Sequence, residues 1–268
     1  MDYNSTIFKS LFIHKKLSLN GVCTGGIFGF IKTFCYLVNT YDTKDIVVCN
    51  DKPPYHRKNI YPEYKADRKK MDESLWKAYV YNCELVNEFL DIVGVPLIIK
   101  DGFEADDLIY LMVRTYHKDF SRIIIATGDD DLYQCLEYPG VFLLKKGKDK
   151  KYFLYGKKEF AAAYPFPLNH WALYSAMRGT HNNVKGIKGV GPSTAQKALL
   201  DGSYTELCKQ HKETVDLCLK LIKLPIRNTF VPKYNERTPL DESRFEEFFK
   251  RLRIQPHPAY TRCFSRFL

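Results

Sequence analysis

Ile123-Ile124-Ile125-Ala126-Thr127-Gly128-Asp129-Asp130-Asp131-Leu132 decides how the rest of the chain is read. The first four residues form a short apolar run of the kind that fits a strand buried on both faces. The glycine and acids that follow place a carboxylate cluster at the carboxyl end of that strand. In open α/β sheets this is the edge outside which ligands bind. The same strand-then-acid order recurs upstream. Ile46 to Cys49 leads to Asp51, and Val95 to Ile99 leads to Gly102-Phe103-Glu104-Ala105-Asp106-Asp107-Leu108-Ile109, which opens a helix.

Helical patterns separate these runs. Leu75, Tyr79, Val86, Leu90 and Val93 keep an apolar stripe over a helix from Ser74 to Val93, and a second helix is expected from Ala105 to Tyr116. The alternation predicts an α/β fold with a mostly parallel central sheet flanked by helices. Val141 to Leu144, the turn-like Lys146-Gly147-Lys148-Asp149 and Tyr152 to Tyr155 read as a hairpin. From about residue 157 the pattern is mostly helical, and a soft boundary is expected near 164. The domains are then 1–164, an α/β core with a basic stretch at about 52–75, and 165–268, a helical region.

With 268 residues the chain is long enough for one large domain or for a core and a smaller partner. Its 41 Lys and Arg against 31 Asp and Glu give a net charge of +10, which favours a polyanionic partner. The eight cysteines are scattered without a C-x-x-C pair, so zinc is not expected. No signal peptide and no apolar run of about 18 residues is visible, so a soluble protein of a reducing, cytoplasmic compartment is expected, without a membrane partner.

Each acid taken singly is explained equally well as a helix cap or turn residue. Three acids in one helical turn exceed what capping needs, and their mutual repulsion is relieved by a cation. Acids at the carboxyl ends of several strands point to oxygen ligation of hard cations. Two cations about 4 Å apart would suit in-line phosphodiester hydrolysis. Between Asp51 and Trp76 lie Lys52, Arg57, Lys58, Lys65, Arg68, Lys69 and Lys70 with Tyr55, Tyr61 and Tyr64 interleaved, a composition suited to single-stranded nucleic acid. Val184-Lys185-Gly186-Ile187-Lys188-Gly189-Val190-Gly191-Pro192-Ser193-Thr194-Ala195 supplies glycines for close backbone approach and then opens a helix whose amides suit phosphate.

Four blocks carry a family resemblance. Asp2-Tyr3-Asn4-Ser5 is similar to the D-G-N-S of 5′-nucleases, and Tyr61-Pro62-Glu63-Tyr64-Lys65-Ala66-Asp67-Arg68 to YPEYKxxR. Phe103-Glu104-Ala105-Asp106-Asp107 resembles the GxEADD helix start, and Thr127 to Leu132 resembles TGDxDL. In family order between residues 2 and 132, they resemble the flap endonucleases and the 5′-nuclease domain of bacterial DNA polymerase I. The resemblance implies a PIN-like core with a C-terminal helix-three-turn-helix, and a metal-dependent 5′-3′ DNA exonuclease or flap endonuclease of replication, repair or DNA degradation.

Carried over residue by residue, the likeness implies Asp2, Asp51, Glu104 and Asp106 around a first Mg²⁺ or Mn²⁺, and Asp107, Asp129 and Asp131 facing a second. Lys65 and Arg68 would contact the scissile phosphate, Tyr64 would stack on a base, and Arg57 and Lys69 would add DNA contacts. Lys185, Gly186, Lys188, Gly189, Gly191, Ser193 and Lys197 would grip the duplex backbone, with K⁺ at the glycine turn. The implied partner is DNA with 5′ single-stranded ends or flaps, bound by a monomer.

Two departures qualify these expectations. Where the family has G-D-x-x-D-N-I-x-G, this chain has Gly179-Thr180-His181-Asn182-Asn183-Val184-Lys185-Gly186, so the second cation is expected to bind weakly or not at all. Only Met1 precedes Asp2, so either the start lies inside a longer frame or the strand that family members place there is lacking. The alternative reading is a branched-DNA-binding homologue with weakened or lost catalysis. A PIN-like ribonuclease is a third.

Overall fold

The computed structural model describes all residues except 68–70, 150, 181, 235–236 and 256. In chain order the elements are α1 (Tyr3–Ile13), β1 (Ser18–Leu19), β2 (Val22–Cys23), α2 (Gly25–Tyr41), β3 (Val48–Asn50), α3 (His56–Ile60), α4 (Glu73–Ile92), β4 (Leu97–Ile99), α5 (Ala105–Tyr116) and β5 (Ile123–Ile125). A 3₁₀ segment, Asp130–Glu137, precedes the β6 (Val141–Lys146) and β7 (Tyr152–Tyr155) hairpin. Then come α6 (Lys157–Ala163), α7 (Trp171–Arg178), α8 (Pro192–Asp201), α9 (Tyr204–Gln210), α10 (Lys212–Ile222), α11 (Glu242–Arg251) and α12 (Pro258–Phe264).

These elements form two compact units, each built from separated stretches of chain. The first comprises Met1–Asn50, Lys70–Ile98 and Lys233–Leu268, and the second Asp51–Lys69 and Ile99–Pro232. The boundary expected near 164 falls inside the second unit.

In the first unit, α2 and α4 bury apolar faces that include Phe30, Phe34, Phe89 and Leu90. The C-terminal helices close this core: Phe34 lies 5.4 Å from both Phe89 and Phe267, ring centre to ring centre. Asn82, fully buried on α4, is satisfied on both sides of its amide. It accepts from the Ile27 amide and donates to the carbonyls of Cys23 and Ala78, each at 2.7 Å. A buried amide with every group paired fixes how α2 meets α4.

The chain start belongs to this unit. The Met1 ammonium donates to Val47 O at 2.6 Å, Cys49 N donates to Met1 O at 2.9 Å, and Asp2 makes a parallel bridge with Cys49. The place expected for an apolar strand is thus held by a two-residue pairing against β3. Asp2 then caps α1, accepting from Ser5 N at 3.0 Å.

The second unit carries the three-stranded sheet β5-β6-β7, with Ile123 opposite Val141 in the parallel pair and Leu143 opposite Tyr155 in the antiparallel one. β3 pairs with β4, and β1 with β2, so the single mostly parallel sheet expected from the sequence is divided into three small ones among the described residues. Aromatic rings of Tyr133, Phe160, Tyr164, Trp171 and Tyr174 fill the space beside the hairpin, with Tyr133 4.9 Å from Trp171. No helix among the described residues is long and apolar enough to cross a membrane.

Candidate active site

The second unit brings together acids from three places: Asp51, the first turn of α5, and the residues after β5. Glu104 caps α5, and Asp107, one turn on, folds back so that its Oδ2 accepts from the Glu104 amide at 3.1 Å. Both side chains are buried, Glu104 at 4% and Asp107 at 0% exposure. Two buried carboxylates one turn apart require compensating cations.

Arg57 of α3 supplies the first. Its Nη1 and Nη2 reach Asp107 Oδ2 and Oδ1 at 2.5 and 2.8 Å, Nη1 also lies 2.9 Å from Glu104 Oε2, and Nε donates to Leu221 O at 2.8 Å. The planar fork matches the carboxylate in a two-pronged pair. Burial opposes the charge on Arg57, yet Asp107 and Glu104 raise its pKa above the ordinary arginine value. Asp107 also accepts from Ile226 N at 2.8 Å. With these donors its lone-pair sites are filled. Arg57, expected to contact DNA, is buried at 2% exposure, and both oxygens of Asp107, expected to face a second cation, accept from internal donors.

Tyr64 and Lys65 approach Glu104 from the other side. The Tyr64 hydroxyl donates to Glu104 Oε2 at 3.0 Å, and the Lys65 ammonium pairs with Oε1. Burial would raise the Glu104 pKa, but Lys65 and Arg57 overcome it and hold the group below the usual carboxylate range. Tyr64, expected to stack on a base, is 3% exposed and packs among Ala172, Ala176, Cys218 and Leu221. Its ring is part of the core, and burial together with Glu104 raises the pKa of its hydroxyl. Lys65 lies 5.1 Å from the Tyr64 ring centre and 5.6 Å from that of Tyr55.

Asp51 accepts from Ala105 N at 2.6 Å and, more weakly, from the Tyr55 hydroxyl at 3.5 Å, which ties it to the start of α5. Asp106, half-buried, lies in that same helical turn. After β5, Asp129 accepts from Asp131 N at 2.9 Å. Desolvation and the charge of Asp129 push the Asp131 carboxyl up to about 7, against the pull of Arg57, Arg178 and Lys65. Arg178, at the end of α7, was not singled out from the sequence. Its guanidinium lies 5.0 Å from the Tyr174 ring centre and bears electrostatically on Asp131. The available signal was a cation directly before Gly179-Thr180, where the pattern has lost its acid.

Among the described residues no three His, Cys, Asp or Glu side chains stand close enough together to hold a metal ion. The oxygens of Glu104 and Asp107 are engaged by lysine, arginine and tyrosine donors. The donor chemistry nevertheless fits a hard cation. All the acids offer oxygen, and the Asp129 and Asp131 pair carries a repulsion that a cation would relieve. Asp2 belongs to the first unit, and Arg68 and Lys69 lie outside the described residues.

The glycine-rich turn lies between α7 and α8. Thr180 and Val184 form an antiparallel bridge, and Ile187 N donates to Met177 O at 2.8 Å. A side chain on Gly186 would collide with the Gly179 nitrogen and the Met177 carbonyl, so this glycine is required by backbone packing. Gly189 has φ +83° with open space around it. α8 opens at Pro192 after Gly191 without a side-chain cap, leaving its first amides to other acceptors. Lys185, Lys188, Ser193 and Lys197 are exposed on and beside this turn.

Residues 1–165 match the family model described as 5′-3′ exonuclease, N-terminal resolvase-like domain. DNA polymerase I of Caldicellulosiruptor bescii is 31% identical over 219 residues, covering 80% of this chain and 25% of that protein. The 5′-3′ exonuclease of Aquifex aeolicus is 28% identical over 239 residues, covering 84% of this chain and 80% of that one. The chain thus spans about a quarter of the length of the polymerase relatives. Among solved structures, T5 5′-exonuclease with bound zinc superposes with a TM-score of 0.69 at 16% identity, over 94% of this chain and 96% of that one. The catalytic core of Rad2 in complex with DNA substrate gives 0.63 at 14% identity, over 100% and 90%. These two share the fold.

Proposed function

This chain belongs to the 5′-3′ exonuclease family with its resolvase-like N-terminal domain, and from that premise we propose that it is a structure-specific 5′ nuclease hydrolysing DNA phosphodiesters. The observation that carries the reading is the convergence on Glu104. One carboxylate at the mouth of α5 meets Tyr64 and Lys65 of the family's basic motif, and the charge of Lys65 bears also on Asp131 after β5.

A divalent cation, Mg²⁺ or Mn²⁺, would be held by Asp51, Glu104, Asp106, Asp129 and Asp131. Bound there it supplies Lewis-acid polarisation of the phosphate and a more acidic water. The protein's own residues do the rest. Lys65 brings a positive charge to the non-bridging oxygens as negative charge develops on them, and Arg68 of the same sequence motif is proposed to share this role. Arg57 holds α3 against α5, keeping the base of the basic stretch next to Glu104. Thr180 and Asn182, neutral where the family carries aspartates, leave a second cation weakly held.

The turn between α7 and α8, read as the helix-three-turn-helix, grips duplex backbone without reading sequence, K⁺ included. Support comes from the open space at Gly189, the uncapped amides of α8 and the exposed Lys185, Lys188 and Lys197. Substrates are DNA with 5′ single-stranded ends or flaps, bound by a monomer of a cytoplasmic compartment. A 5′-flap duplex labelled at either end tests the reading. Cleavage near the flap base that requires Mg²⁺ or Mn²⁺ and is lost in Asp131→Asn is the expected result. Tight binding of the flap with no cleavage in either ion would favour the catalytically silent homologue instead.

A further inference from the structure

The Lys65–Glu104 pair is not a loose surface contact. The lysine side chain is 14% exposed and the glutamate 5%. The backbone that presents the ammonium is held from several directions. Lys65 N donates to Asn182 O at 3.1 Å, Asn183 Nδ2 donates to Glu63 O at 3.0 Å, and the neighbouring Tyr64 hydroxyl is bound to the second oxygen of the same glutamate. Lys65 itself sits at φ +58°, a left-handed conformation that costs a residue with a side chain about 1 kcal/mol or more. A strained residue held this firmly is fixed by its surroundings, and the result is a primary amine directed at one particular oxygen.

We propose that Lys65 is an internal competitor for the divalent cation at Glu104. The inference rests on the reading of Glu104 as a cation ligand given above. Glu104 Oε1 faces either the ammonium or a metal ion, because two cations at one oxygen repel and each requires the same lone pairs. Cation binding therefore releases Lys65 from the carboxylate and frees its charge for the substrate phosphate. Lys65 is thereby a residue with two alternative anionic partners, Glu104 in one arrangement and phosphate in the other. The Asn182 and Asn183 contacts make the turn after α7 part of the latch. The backbone carbonyl of Asn182 and the side-chain amide of Asn183 fasten the backbone of 63–65.

Two measurements on the full chain test this. Mn²⁺ binding followed by the electron paramagnetic resonance signal of the free ion compares wild type with Lys65→Met. The variant is expected to bind about ten-fold more tightly, equivalent to about 1.4 kcal/mol, and the gain should disappear in Lys65→Met/Glu104→Gln. The second uses the unmodified protein, so folding of a variant is not at issue. Acetylation by an N-hydroxysuccinimide ester, quantified at Lys65 by peptide mass spectrometry, should speed up several-fold when Mn²⁺ is added. Equal or weaker Mn²⁺ binding by Lys65→Met, or a Lys65 acetylation rate indifferent to Mn²⁺, overturns the competitor role while leaving the nuclease reading intact. Absence of Mn²⁺ binding in both wild type and Lys65→Met would overturn both.

Discussion

Replacing Arg57 by methionine separates the structural role found for this residue from the phosphate contact expected of it. The substitution leaves the Asp107 carboxylate, at 0% exposure, facing the hole left by a guanidinium that bonded both its oxygens. Removing one partner of such a buried pair costs about 3–5 kcal/mol. The orphaned Leu221 carbonyl adds to this, while the Ile226 and Glu104 amides that still serve Asp107 soften it, so about 4 kcal/mol is the expected loss. In Arg57→Met/Asp107→Leu the uncompensated charge at position 107 is gone, while the two amides lose an acceptor and the Leu221 carbonyl and Glu104 remain without the guanidinium. The double variant should therefore recover about 2 kcal/mol relative to the single one. Urea titration reads both values from the midpoint at unchanged slope. DNA affinity is then measured against salt concentration under conditions where the variants stay folded. A phosphate-contacting arginine lowers the salt slope by about 1 on removal, a buried one leaves it unchanged. A stability loss below about 1 kcal/mol together with a reduced slope would refute the buried-pair account.

Three further outcomes follow from the geometry. Asp131 has a folded pKa above its ordinary 3.8, so its ionisation destabilises the fold increasingly as pH rises from about 4 towards 7 and fully above it; in EDTA, Asp131→Asn should melt higher than wild type at pH 8, by about 1–2 kcal/mol after solvent screening, and the difference should vanish near pH 4. Gly186→Ala, which forces backbone apart at Gly179 and Met177, should cost more stability than Gly189→Ala, where only the positive φ is penalised, by about 1–2 kcal/mol; equal thermal shifts would contradict this. Lys188→Ala should weaken duplex binding equally for all sequences and lower the salt slope by about 1, whereas sequence-dependent loss would point to base contacts.

Much of the site was legible because its signals are local. The strand-then-acid order located Asp51, Glu104 and Asp129, and α5 begins at Ala105 as the first-turn acids predict. The hairpin of β6 and β7 likewise follows from a short turn-rich stretch between two apolar runs. What stayed hidden depends on partners far away in the chain. Arg57 and Tyr64 sit in a basic, aromatic stretch that reads as surface, and only contacts with Asp107, Glu104 and Leu221 make them interior. The C-terminal segment reads as an extension of the helical region. Its place in the first unit is fixed by Phe264 and Phe267 against Phe34 and by Asp241 N donating to Ile92 O, pairings that no periodicity reveals. The single sheet expected from alternation is divided because its strands are short, three residues each in β3, β4 and β5.

The charge pair beneath the site also has a consequence for synthesis on the ribosome. Arg57 closes onto Leu221, 164 positions later, and Asp107 onto Ile226, 119 positions later. Neither contact can form until the segment around 221–226 has left the exit tunnel, so a nascent chain that already displays every acid still lacks the clasp that sets α3 against α5. The joint between α3 and α5 is therefore set by a segment more than a hundred residues downstream of either helix, and it forms only after that segment is available.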